Sequence, residues 1–125
     1  MIQTGLKVTG IDHVVLYVRD LACSKQFYMA LLGMEWEHGD DGAAFLRCGS
    51  QQVALFEAKP GAEIHAGSEV NHMAMRLGTG TREEVKAILE AAGCQVHGRP
   101  GDPDCLYFQD PDGHRLQVLT PAERS

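Results

Sequence analysis

Basic residues are in short supply in this chain. Eleven Lys and Arg stand against 17 Asp and Glu over 125 residues, for a formal charge of -6 and an isoelectric point near 5.4. Nucleic acids and anionic membranes recruit basic patches, so this balance argues against both as partners. Long apolar runs are also missing, since none approaches the roughly 20 residues of a membrane-spanning helix. No charged-then-apolar secretory leader opens the sequence, and Cys23, Cys48, Cys94 and Cys105 form no CxxC pair. The expectation is a soluble cytoplasmic protein whose thiols stay reduced and mostly serve packing. Low-complexity sequence is absent. Gly78-Thr79-Gly80-Thr81 does not follow the spacing of a phosphate loop, and no Ser/His/Asp arrangement has a recognisable context. With 44% hydrophobic and 22% charged residues, one ordinary globular domain remains, long enough to bury a core but not two independent ones.

What the chain does have is an internal repeat. The run Ile11-Asp12-His13-Val14-Val15-Leu16-Tyr17-Val18 is followed by a helical pattern over residues 20–33. Val70-Asn71-His72-Met73-Ala74-Met75-Arg76-Leu77 is followed by another over residues 81–93. A duplicated unit is related to its copy by a pseudo-twofold axis, so equivalent residues are brought together. His13 and His72 are therefore expected to face one pocket.

In the first run, His13, Val15 and Tyr17 share one face and the aliphatic Val14, Leu16 and Val18 share the other, which suits packing under a helix. Asp20 is a good N-cap; Leu21, Ser24, Phe27, Tyr28, Leu31 and Leu32 follow helical spacing, and Gly33 supplies the stop. Strands are expected over 34–38, 43–47 and 52–57, separated by Gly/Asp and Cys-Gly-Ser turns. A polar stretch over 58–69, with a turn at Lys59-Pro60-Gly61, links the units as a linker or flexible lid. In the second copy, Thr81 and Glu84 form a capping-box pattern, and Val85, Ile88, Leu89 and Ala92 form the apolar stripe. Strands are expected over 94–97, 105–109 and 115–120, with Asp110-Pro111-Asp112-Gly113 as a tight hairpin turn between the last two.

These landmarks resemble those of a known superfamily. Asp12 to Asp20, then Phe27-Tyr28 and Leu32-Gly33-Met34, with Asn71-His72-Met73-Ala74 and Tyr107-Phe108-Gln109-Asp110-Pro111-Asp112-Gly113, are similar to the vicinal oxygen chelate pattern. That superfamily includes glyoxalase I, extradiol dioxygenases, fosfomycin resistance enzymes, methylmalonyl-CoA epimerase and bleomycin resistance proteins. The resemblance covers nearly the whole chain. It implies an α+β fold in which two β-α-β-β-β units form a curved mixed sheet around a cleft, as one domain over 1–125 with units at 8–57 and 70–120.

The resemblance also implies a metal site, with ligands from the first and last strand of each unit. His13 and His72 match the first-strand ligands, and neutral imidazoles suit a borderline divalent ion. The last-strand position of the second unit, usually glutamate, is Gln117, and its counterpart in the first unit falls near Ala54. The implied ligand set is His13, His72 and Gln117, completed by water. The implied ion is zinc, manganese, nickel, cobalt or iron. Gln117 lacks the charge of a carboxylate and cannot act as a general base.

Tyr107 stands where extradiol dioxygenases carry a substrate-orienting tyrosine, although it reads equally well as a strand aromatic. Arg76 shares the His72 face, Tyr17 that of His13, and Arg115 and Leu119 that of Gln117, so an anionic or enolate-like ligand would fit. Tyr107 and Arg76 are the candidate catalytic residues. Trp36, Phe45 and Arg47 read either as the other end of the cleft or as core and rim. His38, His65, His97 and His114 read as solvated histidines.

Three functions follow. One is a metal-dependent enzyme, such as a lyase or dioxygenase, acting on a small molecule with adjacent oxygens. Another is a metal-free drug- or metabolite-binding protein of the bleomycin resistance type, and the third is a degenerate structural or regulatory partner. Short members of this superfamily commonly pair units between subunits, which implies a homodimer.

Overall fold

The computed structural model describes residues 5–64 and 69–123. Strand β1 (His13–Val18) leads into helix α1 (Leu21–Gln26), which continues as a π-helical turn over Phe27–Leu31. Strands β2 (Glu35–Gly39), β3 (Ala43–Cys48) and β4 (Gln51–Glu57) complete the first unit. The second repeats the plan with β5 (Met73–Arg76), α2 (Arg82–Ala91), β6 (His97–Arg99), β7 (Asp102–Gln109) and β8 (Arg115–Leu119). Each unit is a four-stranded mixed sheet, in the orders β1-β4-β3-β2 and β5-β8-β7-β6. The expected curved α+β architecture is present as two such sheets.

Most local expectations hold for the reasons given. Asp20 accepts from the Cys23 N–H, and Thr81 and Glu84 form a reciprocal capping box. Lys59-Pro60-Gly61 turns through the Ala62 N–H to Lys59 carbonyl bond, and the Asp110 turn closes through Gly113 N–H to the Asp110 carbonyl. His65 and the end of the 58–69 linker lie outside the described residues.

Four expectations are corrected. The first helix passes into a π-helical turn over Phe27–Leu31, where the Leu32 N–H bonds to the Phe27 carbonyl. Strand β5 begins at Met73, so His72 sits just before it. The strand expected over 94–97 lies instead at His97–Arg99, and β7 starts at Asp102. There Gly98 permits a backbone approach no side chain would tolerate, because a Cβ would sit 2.1 Å from the Pro103 carbonyl oxygen. Finally, Ile88 of the α2 stripe is 58% exposed, so only Val85 and Leu89 anchor that helix.

The aliphatic sheet faces and both helices merge into one core. Val18, Leu46, Leu55 and Tyr28 from the first unit pack in the same cluster as Leu106, Phe108, Leu116 and Val118 from the second. The π-helical turn is one seam, with Phe27 and Phe108 ring centroids 6.4 Å apart. The β7–β8 turn is another: Asp112 accepts from the Arg19 N–H at 3.0 Å, and buried Asp110 accepts from the Tyr28 hydroxyl at 2.7 Å. With the aliphatic faces thus occupied, the opposite, histidine-bearing faces are left for function.

Candidate functional site

Hydrogen-bond register superimposes the two histidine-bearing faces position by position. Val15 pairs with Ala54 and Phe45 with Ala54 in the first sheet. Ala74 pairs with Gln117 and Tyr107 with Gln117 in the second. Ala54 is therefore the structural counterpart of Gln117, and Phe45 that of Tyr107. His38 pairs with Phe45 as His97 pairs with Tyr107. Each of these outer histidines precedes a glycine, Gly39 or Gly98, whose hypothetical Cβ would collide with the facing strand.

His13 and His72 are held in the same way. The ring Nδ1 of His13 lies 2.8 Å from an Asp12 carboxylate oxygen, and that of His72 lies 2.8 Å from the Asn71 side-chain oxygen. A side-chain oxygen accepts, so each Nδ1 donates, and no hydrogen bond among the described residues uses either Nε2. Carboxylate or amide oxygens behind a histidine orient metal ligands in this manner.

Around His72 the second unit builds a polar face. The Tyr107 ring, 7% exposed, meets His72 edge-on at 5.1 Å and stacks against His97 at 5.8 Å. The Arg99 guanidinium donates to the Tyr107 hydroxyl oxygen at 3.2 Å. That contact favours the charged guanidinium and pushes the Arg99 pKa up. Gln117 is 5% exposed, beside Tyr107 across β7 and β8, and no hydrogen bond among the described residues holds its amide.

The structure brings His72, Tyr107 and Gln117 onto one face and places His13 on the other sheet against Phe45, with centroids 5.8 Å apart. Among the described residues no group of three or more His, Cys, Asp or Glu side chains is arranged to hold a metal ion. Arg76 shares the face of His72 by parity, but its guanidinium donates to the Thr120 and Glu123 carbonyls and ties down the chain after β8. The free edges of β1 and β5 border a cavity of about 1080 Å³ lined in part by Val15, Tyr17, His72, Ala74 and Arg115.

Sequence reasoning missed Arg99 and misread His114; His38 and His97 are exposed, as expected of solvated histidines, although each also packs on a ring. His97 stacks on Tyr107 and His38 on Phe45. His114, with its side chain only 14% exposed, donates from Nδ1 to Asp110 at 2.7 Å. One signal was available: His38-Gly39 and His97-Gly98 are a repeated dipeptide, separated by the same interval as His13 and His72.

Three comparisons bear on this geometry. The Glyoxalase/Bleomycin resistance protein/Dioxygenase superfamily model matches residues 10–118. Glutathione transferase FosA of Serratia marcescens is 32% identical over 112 residues, 87% of this chain and 79% of the relative. Metallothiol transferase FosB of Bacillus licheniformis is 28% identical over 118 residues, 91% of this chain and 77% of the relative. Among solved structures, the integron cassette protein HFX_CASS4 from the Halifax Harbour sewage outfall metagenome is 30% identical, with a TM-score of 0.72 over 89% of this chain and 97% of that one. The fosfomycin resistance protein FosX of Listeria monocytogenes shares the fold, with a TM-score of 0.73 over 93% of this chain and 96% of that one, at 20% identity. With the repeat, the sheet register and the sequence match in agreement, the chain belongs to the Glyoxalase/Bleomycin resistance protein/Dioxygenase superfamily.

Proposed function

We propose that this protein is a divalent-metal-dependent enzyme acting on a small molecule with adjacent oxygens, and that its site forms in a homodimer. His13 of one chain would join His72 and Gln117 of the second copy. The observation that carries this reading is the matched tethering of the two imidazoles, each Nδ1 engaged at 2.8 Å and each Nε2 left as a donor atom. Gln117 is a largely buried residue whose amide still reaches solvent and has no hydrogen-bond partner among the described residues, which suits a third, neutral ligand. Ala54 offers no ligand at the fourth position, as catalytic metal sites require if substrate is to enter.

When bound, the ion would supply Lewis-acid stabilisation of developing oxyanion charge. The chain's own residues do the rest. Because the Tyr107 hydroxyl oxygen accepts from Arg99, its proton is free to donate to a substrate oxygen. His72 meets the Tyr107 ring edge-on and His97 stacks on it, restricting where the hydroxyl oxygen sits. With Gln117 in place of a carboxylate, no ligand side chain serves as a base. This favours addition of a nucleophile that arrives already ionised, and transferase names among the relatives point to a thiolate.

The second reading is a metal-free binding protein, favoured by the same neutral residues at positions 54 and 117. A calorimetric titration with manganese or zinc separates the two. Wild type should bind modestly, Gln117→Glu at least tenfold more tightly because it restores an anionic oxygen, and His72→Ala not at all. Equal, weak binding by all three variants would leave the metal-free reading in place.

A further inference from the structure

The two histidine faces share a register but not a chemistry, and the difference describes the ligand. On the second unit's face stand Tyr107, Gln117 and the Arg99 cation. At the equivalent places on the first, Phe45 replaces Tyr107 and Ala54 replaces Gln117. Phe45 meets Phe56 at 5.8 Å and His13 at 5.8 Å, both edge-on, and His38 stacks on it at 4.3 Å. Tyr17 and Val15 extend this surface toward the β1 edge and remain 59% and 38% exposed. Arg47, the cation on this side, is engaged by Glu35 and Glu37.

The geometry points to a substrate with an aromatic body and an anionic oxygen group: the ring rests on Phe45 and Phe56, and the oxyanion is taken by Arg99 and the Tyr107 hydroxyl. This rests on the reading that His13 and His72 converge. If they do, the pseudo-twofold sets Phe45 and Tyr107 on opposite flanks of the same centre. An apolar ligand alone would leave Arg99 and the Tyr107 proton uncompensated. A small aliphatic anion would leave the aromatic wall in water. An aryl oxyacid satisfies both walls, with edge-to-face or stacked ring contacts adding to area burial.

Titration calorimetry with benzoate and acetate as probes tests this, using the full chain with and without added manganese. Wild type should bind benzoate about tenfold or more tightly than acetate, the difference being the buried ring. Phe45→Leu keeps apolar volume but removes the ring, and should cut that ratio several-fold, whereas Phe45→Tyr should retain it. Arg99→Gln should weaken both carboxylates alike and leave the ratio unchanged. Equal affinities in wild type, binding of neither carboxylate, or a ratio unaffected by Phe45→Leu in protein that still melts cooperatively would overturn the proposal. Because the ratio is also read in the arm without manganese and the ligand set by metal titration, a failure of metal binding and a failure of this proposal are told apart.

Discussion

The two units of this protein share caps, strand order and register, yet they have diverged most where they are most exposed to a ligand. The first carries Phe45, Phe56 and Ala54 on its histidine face; the second carries Tyr107, Arg99 and Gln117. Beneath those faces both units contribute apolar side chains to one core, Leu46 from the first and its counterpart Phe108 from the second. The lesson is that duplication conserved the scaffold that aims the side chains and left the aimed side chains free to specialise. The strongest way to break this comparison is to show that the halves are energetically separate. Phe108→Ala should cost about 3–5 kcal/mol and Leu46→Ala about 2–5 kcal/mol. Each should shift a single unfolding transition seen by calorimetry; two resolved transitions would mean that the shared core does not couple the units.

The units differ next in the turn before their last strand. Cys48, Gly49 and Ser50 form a plain turn in the first, whereas Asp110 in the second reaches across to the other unit. Its carboxylate accepts from the Tyr28 hydroxyl, the His114 ring, and the backbone N–H groups of Asp112 and His114. Asp110→Ala should cost about 2–4 kcal/mol, since it leaves several buried donors unpaired. Tyr28→Phe should cost less, because it removes only one donor and leaves Asp110 its other three. Urea denaturation of the two variants checks the order, and near-equal losses would assign the stability to the Tyr28 contact alone.

Much of this was legible in the sequence. The caps at Asp20 and Thr81, the strand faces, the Asp110 turn and the counterpart of Gln117 at Ala54 all follow from local period and from counting within a repeat. What could not be read depends on partners distant in sequence. His114 looks solvated until Tyr28, far back in the chain, is seen to close the Asp110 pocket. Arg76 looks catalytic by strand parity, yet a long side chain can follow a nearer acceptor, here the carbonyls after β8. Arg99 lay hidden because β6 is three residues long and is placed by the close approach at Gly98, which strand periodicity does not register.

The same turn makes a pH prediction that sharpens the contrast. The Asp110 contact raises the His114 pKa above 6.5 despite partial burial. Burial opposes ionisation of Asp110, but donation from His114 and Tyr28 outweighs it and holds the carboxyl below 3.8. A raised histidine stabilises the fold fully below its unfolded pKa and loses that contribution as pH rises through the folded value. A depressed carboxylate stabilises above its unfolded pKa and loses its contribution as pH falls through the folded one. The pair therefore contributes most between about pH 4 and 6.5. Melting temperature should peak there in wild type, and His114→Asn should flatten the alkaline decline while leaving the acid limb. No counterpart of this titration exists at the Cys48 turn.

The smallest expected difference lies in the ion pairs. In the first unit Arg47 pairs with Glu35 while their side chains remain 47% and 70% exposed. Water screens both charges, and holding two long side chains costs entropy, so a double-mutant cycle should give a coupling of about 0.2–1 kcal/mol. In the second unit Arg82 reaches Glu123 at 2.6 Å and Asp102 at 2.7 Å, with the Glu123 side chain only 11% exposed. Glu123 is fixed further by the Thr120 N–H and hydroxyl, so its carboxylate is already ordered when Arg82 arrives. Pre-ordering and partial burial should raise the Arg82–Glu123 coupling to about 1–2 kcal/mol. In 0.5 M salt the Arg47–Glu35 coupling should fall toward zero while the Arg82–Glu123 coupling persists, because screening acts on exposed pairs first. If both couplings collapse together, the C-terminal network is as superficial as its counterpart, and Arg76 rather than Arg82 anchors the chain after β8.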